Sequence, residues 1–173
     1  IPMEEKFKKF AELGFSAVQF HDDDAVPNIN DYTEEEIKEK ARELKKTLDK
    51  YGLKAEFVAP RLWMDPHTVD GGYMSTSAED REYAMWRAYR SIDIAKELGT
   101  DLVVLWLARE GTLCAESKSP VWATKMLIEA INKMLANFER RMEDYFQQIA
   151  DQGQALREIV NVAAMIERET DGQ

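Results

Sequence analysis

A histidine stands directly in front of three carboxylates in the stretch His21-Asp22-Asp23-Asp24. A carboxylate within reach of an imidazole fixes its tautomer and makes the ring useful as an acid or base near neutral pH. The stretch follows an apolar run that predicts a buried strand at residues 16–20. Parallel α/β sheets place their chemistry at the C-terminal ends of strands. His21 is therefore a candidate for catalysis; the structural alternative is a solvated acidic turn beside a histidine held only by packing.

The elements that would position this stretch follow a repeated order of helix, glycine and strand. Helices are predicted at residues 3–13, 33–51 and 77–98, and strands at 16–20, 54–59 and 101–108. Thr33 with Glu36 predicts a capping box, and Ser77 with Asp80 predicts the start of the third helix. The helices are expected to end at glycines in the left-handed conformation, namely Gly14, Gly52 and Gly99. This succession predicts a parallel α/β fold.

Two further patterns describe how these elements are buried. The apolar faces of the first three helices are expected to contain Met3, Phe7, Phe10 and Ala11, then Ile37, Ala41, Leu44, Leu48 and Tyr51, then Ala84, Ala88, Ile92 and Ala95. The third strand has an unbroken apolar centre at residues 102–107. Such a run indicates that both faces of the strand are covered, as in a parallel sheet flanked by helices.

The pattern changes after residue 119, where strands no longer follow helices. One long amphipathic helix is predicted to begin near Pro120, with apolar residues spaced by threes and fours: Leu127, Ile131, Met134, Phe138, Met142, Tyr145 and Ile149. A turn near Gly153 and a second helix ending near Thr170 complete a predicted helical hairpin. We therefore predict an α/β region at residues 1–118 and a hairpin at residues 119–173.

Composition limits the classes of partner. The formal net charge is -10, which disfavours sequence-independent binding to nucleic acid. A single cysteine, Cys114, allows no disulfide within the chain and suits a reducing compartment, so a cytoplasmic location is expected. The first residues lack the pattern of a signal peptide, and no apolar run approaches the roughly 20 residues of a membrane span. Neither nucleic acid nor membrane is an expected partner.

The segments after the three strands, read together, carry a family resemblance. They are Phe20-His21-Asp22-Asp23-Asp24-Ala25-Val26-Pro27, then Leu62-Trp63-Met64-Asp65-Pro66 with Asp70-Gly71-Gly72-Tyr73, then Leu105-Trp106-Leu107-Ala108-Arg109-Glu110-Gly111. Over roughly residues 3–135 the chain resembles the xylose isomerase family, whose subunits are (β/α)8 barrels. The resemblance implies an α/β fold with a partial, half TIM-barrel-like parallel sheet. Joined to the pattern of the sequence, this predicts three βα-type units followed by the C-terminal helical hairpin.

The resemblance also implies roles for four residues. His21 matches the histidine that meets the sugar's ring oxygen and first carbon, and Asp24 matches the carboxylate that orients it. Trp106 matches an apolar wall of the sugar pocket, and Trp63 stands where the family usually has a phenylalanine facing the substrate. The alternative for both tryptophans is core packing. Arg109 and Glu110 fall in an Arg-Glu-Gly segment whose implied role is mainly structural.

The family's metal chemistry has no counterpart in the sequence. The family moves a hydride between two sugar carbons with two divalent cations, held by ligands from the second half of its barrel, which begin in a Glu-Pro-Lys-Pro-like segment. No such segment follows Gly111, and His67 matches no ligand position. Asp22 and Asp23, side by side on an extended backbone, would make a poor chelate. We therefore expect no metal ion and no other cofactor in this chain.

Three strands cannot close a barrel, which takes about eight. The open sheet edges are expected to be covered by the hairpin, by other copies of the chain as a homo-oligomer, or by a complementary half barrel. Three functions follow as alternatives. The first is a partial barrel that keeps part of a sugar site, lacks the metal centre and is inactive alone, as in an engineered or recombined fragment. The others are a scaffold that assembles through its C-terminal helices, and a half-enzyme completed by another chain for aldose-ketose isomerisation.

Overall fold

Helices flank a small parallel sheet in the computed structural model, which describes residues 1–107, 109–110 and 117–151, the side chains of 148–151 excepted. The strands are β1 (Ala17–His21) and β2 (Lys54–Ala59), and the helices are α1 (Met3–Glu12), α2 (Asp22–Ala25), α3 (Glu34–Lys50), α4 (Ala78–Leu98) and α5 (Pro120–Asp151). Short 3-10 turns lie at Ile29–Asp31 and Pro66–Thr68. This order confirms the predicted alternation of helices and strands as far as residue 98.

The ends of the helices follow the local signals. The Thr33 side chain accepts a hydrogen bond from the backbone N–H of Glu36, whose carboxylate accepts one in return from the Thr33 backbone N–H, so the capping box is confirmed. The Ser77 side chain accepts in the same way from the backbone N–H of Asp80. The predicted glycines adopt positive φ angles: 84° at Gly14, 69° at Gly52 and 76° at Gly99. Such angles suit glycine because a Cβ would clash with the backbone.

The sheet is parallel, but the predicted third strand is not formed as a strand. Strand β1 pairs with β2 from Ala17 opposite Lys54 to His21 opposite Ala59. The next segment contributes one bridge, in which Val104 N–H donates to the Val58 carbonyl at 3.0 Å and Val58 N–H donates to the Leu102 carbonyl at 3.1 Å. The described residues therefore confirm two parallel strands with a third segment beside them, and three complete units are not confirmed.

The prediction that residues 102–107 are covered on both faces is wrong at two positions. Leu102 is 37% exposed and Trp106 is 47% exposed. An unbroken apolar run reports the hydrophobicity of a segment, whereas coverage depends on which elements lie on each side of it. Within the described residues, one side of this segment pairs with β2 through Val58.

The main core lies where α1, α3 and α4 cover the sheet. Its side chains are fully or almost fully buried and include Phe7, Phe20, Ile37, Leu48, Leu53, Val58, Ile94 and Leu98. The ring of Phe7 packs edge-on against that of Phe20 with centroids 6.0 Å apart. This packing attaches α1 and α3 to the two strands and fixes the position of the strand ends, where the acidic stretch begins.

The long helix α5 packs on α4. Its apolar stripe is buried at Met134, Phe138 and Met142, which share hydrophobic clusters with Ala88 and Ile92 of α4. The predicted long helix is therefore confirmed, while the turn near Gly153 and the second helix lie outside the described residues. The division at residues 118 and 119 stays a prediction. None of the helices in the described part, α5 included, has the length and apolarity needed to cross a membrane.

Candidate functional site

The acidic stretch forms one helical turn at the end of β1. His21 is both the last residue of β1 and the N-cap of α2, and the three aspartates begin that helix. The expectation of an extended backbone here is therefore wrong, and the solvated-turn alternative is wrong for Asp22, which is fully buried. The N-cap and the third helical residue lie on the same side of a helix, so the turn brings His21 beside Asp24.

An arginine stands between the two members of the predicted pair. Nδ1 of His21 lies 3.3 Å from Oδ2 of Asp24, and it lies closer, at 2.9 Å, to Nη2 of Arg61. The same Nη2 donates a hydrogen bond to Oδ2 of Asp24. Arg61 follows β2 and also reaches Oδ1 of Asp23 at 3.4 Å. Burial, followed by the neighbouring charge of Asp22, raises the pKa of Asp23.

Directly beneath this cluster lies a buried ion pair. The carboxylate of Asp22 accepts hydrogen bonds from Nε of Arg87 at 2.6 Å and from Nη2 at 2.7 Å. It also accepts from the backbone N–H groups of Asp23 and Arg61, each at 2.9 Å. Burial opposes the charge of Arg87, but the hydrogen bonds from its guanidinium to Asp22 raise its pKa. This pair joins α4 to the ends of β1 and β2.

Two tryptophans extend the site along the strand ends. The ring of Trp63 meets that of His21 edge-on with centroids 5.2 Å apart, and its centroid lies 6.0 Å from that of Trp106. Trp106 is 47% exposed, so simple core packing does not describe it. The structure thus brings together all four residues singled out in the sequence: His21, Asp24, Trp63 and Trp106. Their role toward a ligand stays a prediction.

The second histidine belongs to a separate polar cluster. Nδ1 of His67 lies 2.8 Å from Oδ1 of Asp65, and its ring stacks on Tyr83. The hydrogen bond to Asp65 raises the pKa of His67. Burial opposes the charge of Asp65, but hydrogen bonds from His67, Tyr83 and Asn30 outweigh it and lower its pKa to about 2. Tyr83 also accepts a hydrogen bond from Arg87 at 2.8 Å, which links this cluster to the buried ion pair.

Glu110 of the Arg-Glu-Gly segment bonds to the loop that follows Trp63, while Gly111 lies outside the described residues. The Glu110 carboxylate accepts hydrogen bonds from the backbone N–H groups of Gly72 and Tyr73, both at 2.8 Å, and of Met74 at 2.9 Å. Gly71 adopts a φ of 88°, and a Cβ there would lie 3.0 Å from the carbonyl oxygen of Arg109. Glu110 therefore holds the loop that follows Trp63 against the third segment of the sheet.

The described acidic residues do not fit a divalent cation. Among the described residues, no three His, Cys, Asp or Glu side chains come together in a way that could hold a metal ion. The oxygens of Asp22 are taken by Arg87 and by backbone N–H groups, and Asp24 accepts from Arg61. Hard cations need several free oxygen ligands, which this cluster does not offer.

Parallel strands, helices on the sheet and a polar cluster at the strand ends are typical of an α/β protein with its site at the strand ends. Comparison with known families agrees: residues 7–169 match the family described as xylose isomerase-like TIM barrel. The chain belongs to this family.

Individual relatives agree with this assignment. A protein named xylose isomerase from Thermus thermophilus is 36% identical over 134 residues, which cover 76% of this chain and 33% of that protein. A protein named xylose isomerase from Thermus caldophilus is 37% identical over 103 residues, which cover 60% of this chain and 26% of that protein. The chain thus matches about a third or less of the length of these relatives.

Two arginines of the site, Arg61 and Arg87, were not predicted from the sequence. Arg87 lies between Ala84 and Ala88 on the buried face of α4, and a charged residue on an apolar helical face needs a buried partner of opposite charge. That signal could have found Arg87. Arg61 follows β2 at the edge where the acidic stretch follows β1, so charge complementarity offered a weaker hint.

Proposed function

We propose that this chain carries one part of a sugar-isomerase site, in which His21 and its neighbours bind a small aldose. The observation that carries the proposal is the meeting of His21, Trp63 and Trp106 at the strand ends, with ring centroids 5.2 and 6.0 Å apart. Sugar sites commonly combine apolar ring faces, which cover the carbon skeleton, with a few polar groups that fix orientation. Membership of the family supports a sugar as the ligand.

In this proposal the residues have separate tasks. Trp106, which is half exposed, offers its ring as an apolar wall, and Trp63 lies between it and His21. His21 supplies a polar ring nitrogen toward the sugar's oxygens. Asp24 and Arg61 hold the imidazole from its Nδ1 side. The buried pair of Asp22 with Arg87 fixes the backbone at the ends of both strands.

We further propose that the chain by itself binds sugar without isomerising it. The matched part covers 33% of one relative named xylose isomerase and 26% of the other, and the carboxylates of Asp22 and Asp24 accept hydrogen bonds from arginines. Hydride transfer in this family relies on divalent cations, and the described acidic residues do not fit them. Substantial metal-dependent conversion of D-xylose by the purified chain alone would refute this part of the proposal.

Binding can be tested by two-dimensional NMR of the 15N-labelled chain during titration with D-xylose. The four tryptophans provide an internal control. The indole N–H signals of Trp63 and Trp106 should shift, while those of Trp86 and Trp122 should not. We expect a Kd of about 1 mM or weaker, because a few hydrogen bonds and one apolar wall supply little free energy. His21→Ala should weaken binding about tenfold, as expected for one lost hydrogen bond.

His67→Ala serves as the matched control, because it removes the other histidine from a cluster that stacks on Trp86 through Tyr83 and makes no ring contact with Trp63 or Trp106 among the described residues. Equal loss of binding in both variants, or equal shifts of all four indole signals, would contradict the proposed site. Glycerol at the same concentration controls for the effect of a polyol as such.

A second candidate is a half-enzyme completed by another chain. The partial exposure of Leu102 and Trp106 favours it, since these side chains leave apolar surface beside the third segment of the sheet. Isomerase activity should then appear only on mixing with a chain that supplies the second half of a barrel. Assembly through α5 has less support, because Met134, Phe138 and Met142 are already buried within the chain.

A further inference from the structure

The guanidinium of Arg61 restricts where the proton of His21 can lie. Nη2 of Arg61 is 2.9 Å from Nδ1 of His21. A guanidinium nitrogen carries hydrogens and accepts none, so it can only donate at this distance. A proton on Nδ1 of His21 would point its N–H at the N–H of Arg61, with no acceptor between them. Nδ1 must therefore be the acceptor, and the proton of the neutral ring lies on Nε2.

The alternative partner for Nδ1 is less well placed. Oδ2 of Asp24 lies 3.3 Å from Nδ1, and it already accepts a hydrogen bond from the same Nη2 of Arg61. The two hydrogens of Nη2 can serve both acceptors, the ring nitrogen and the carboxylate. If Asp24 alone oriented the ring, Nδ1 would carry the proton and donate it to the carboxylate. Arg61 and Asp24 thus favour opposite tautomers.

The position of Arg61 is fixed by the buried ion pair beneath it. Its backbone N–H donates to Oδ1 of Asp22 at 2.9 Å, and its carbonyl oxygen accepts from Nη2 of Arg87 at 3.4 Å. Its Nη1 reaches Asp23 at 3.4 Å. Because both the backbone and the guanidinium are held, the side chain is directed at His21 and is not free to swing away.

We infer that Arg61 is a positioning residue that holds His21 in the Nε2–H tautomer, so that the ring nitrogen left for a ligand is a hydrogen-bond donor. Among the described residues, no hydrogen bond reaches Nε2 of His21. A donor at this place suits the ring oxygen of a sugar, which can only accept. The assignment of the tautomer stands without the proposed function, whereas its use toward a sugar rests on that function.

Long-range 1H–15N correlation NMR of the 15N-histidine-labelled chain tests this inference, because protonated and unprotonated ring nitrogens resonate far apart. The chain has two histidines, so in His67→Gln the remaining histidine signals are those of His21. Spectra are recorded at about pH 9, above the ordinary range of histidine. The wild type should show the Nε2–H form. In Arg61→Met the ratio of the tautomers should shift about tenfold or more toward Nδ1–H, as for one lost charge-assisted hydrogen bond.

Two further variants keep the inference falsifiable. Asp24→Asn should retain the Nε2–H form, because Arg61 remains and only the acceptor that favours Nδ1–H is removed; Nδ1–H in this variant would show that Arg61 does not set the tautomer and would overturn the inference. If Arg61→Met fails to fold, the wild-type spectrum provides the test, because control by Asp24 predicts Nδ1–H and control by Arg61 predicts Nε2–H. Arg140→Met, which removes an exposed arginine of α5, should leave the spectrum unchanged. Nδ1–H in the wild type, or an unchanged ratio in Arg61→Met, would likewise refute it.

The result does not depend on sugar binding. A chain that shows the Nε2–H form but no shift of Trp63 or Trp106 with D-xylose would keep the assigned role of Arg61 and refute the proposed function. Binding of D-xylose by a chain in the Nδ1–H form would keep the proposed function and refute the assigned role of Arg61.

Discussion

Replacing Arg87 with methionine would leave the carboxylate of Asp22 buried without its counter-charge. Asp22 is fully buried and Arg87 is 3% exposed, so water cannot take the place of the lost guanidinium. The change removes the hydrogen bonds from Nε at 2.6 Å and Nη2 at 2.7 Å, and leaves the two from backbone N–H groups at 2.9 Å. Two hydrogen bonds to a charged group, at about 1.5–3 kcal/mol each, contribute about 3–6 kcal/mol. Breaking a buried ion pair by removing one partner costs about 3–5 kcal/mol, so we expect a loss of roughly 3–5 kcal/mol in the free energy of unfolding.

This loss can be measured by urea unfolding followed by circular dichroism, with a double-mutant cycle. Asp22→Asn alone should destabilise the chain, because a neutral amide leaves the buried guanidinium of Arg87 without its counter-charge. Added to Arg87→Met, the same change should restore about 1–3 kcal/mol, since an amide needs no counter-charge. Arg140→Met is the control, and a surface substitution of this kind should stay within about 0.5 kcal/mol.

The cycle has a result that refutes the reasoning. If Arg87→Met costs less than about 1 kcal/mol, the pair is solvated or contributes nothing to stability. If Asp22→Asn destabilises the Arg87→Met chain as much as it does the wild type, the two side chains are not coupled. Domains are stable by only about 5–15 kcal/mol, so the expected loss is a large part of the total stability. The measurements should therefore be made at low temperature, with Arg87→Lys as a less destabilising second variant.

Two other predictions concern the loop after β2. The pKa of Asp65 is lowered to about 2, so its stabilising contribution is present above the ordinary carboxyl range and is lost as the pH falls toward 2. Asp65→Asn should therefore flatten the plot of unfolding free energy against pH over this range. An unchanged slope would argue against the cluster with His67. Gly71→Ala should destabilise by about 1–3 kcal/mol in the same urea assay, because φ is positive and the Cβ approaches Arg109. Gly14→Ala, with positive φ but no atom within 4 Å, should cost less, and an equal loss would contradict the close approach.

Local structure was predictable because its causes lie within a few residues. The capping box of Thr33 and Glu36 needs only side chains three positions apart, and it forms as expected. Gly14, Gly52 and Gly99 adopt positive φ where three of the helices end, since glycine has no Cβ to clash with the backbone there. The buried stripe of α5 follows from helical spacing alone, which places Met134, Phe138 and Met142 on one face.

The prediction of a third strand failed because strand pairing depends on segments that are distant along the chain. The apolar run at residues 102–107 is as hydrophobic as a buried strand, yet its pairing depends on which backbone lies on either side. Only Val58 of β2 bridges to it in the described part of the chain, and Trp106 stays half exposed. Hydrophobicity is a property of the residues themselves, whereas strand pairing is a property of their neighbours.

The sequence by itself determined which residues could do chemistry and at which strand ends they stand, because a strand that ends at His21 must present its next residues at that edge. The tertiary structure decided which partners those residues contact. Arg61 and Arg87 lie 40 and 65 positions from their partners His21 and Asp22, and only the packing of β2 and α4 against β1 brings them there. Charges that are distant along the chain act strongly once burial excludes water between them, so the partners of His21 and Asp22 are set by contacts that no local pattern contains.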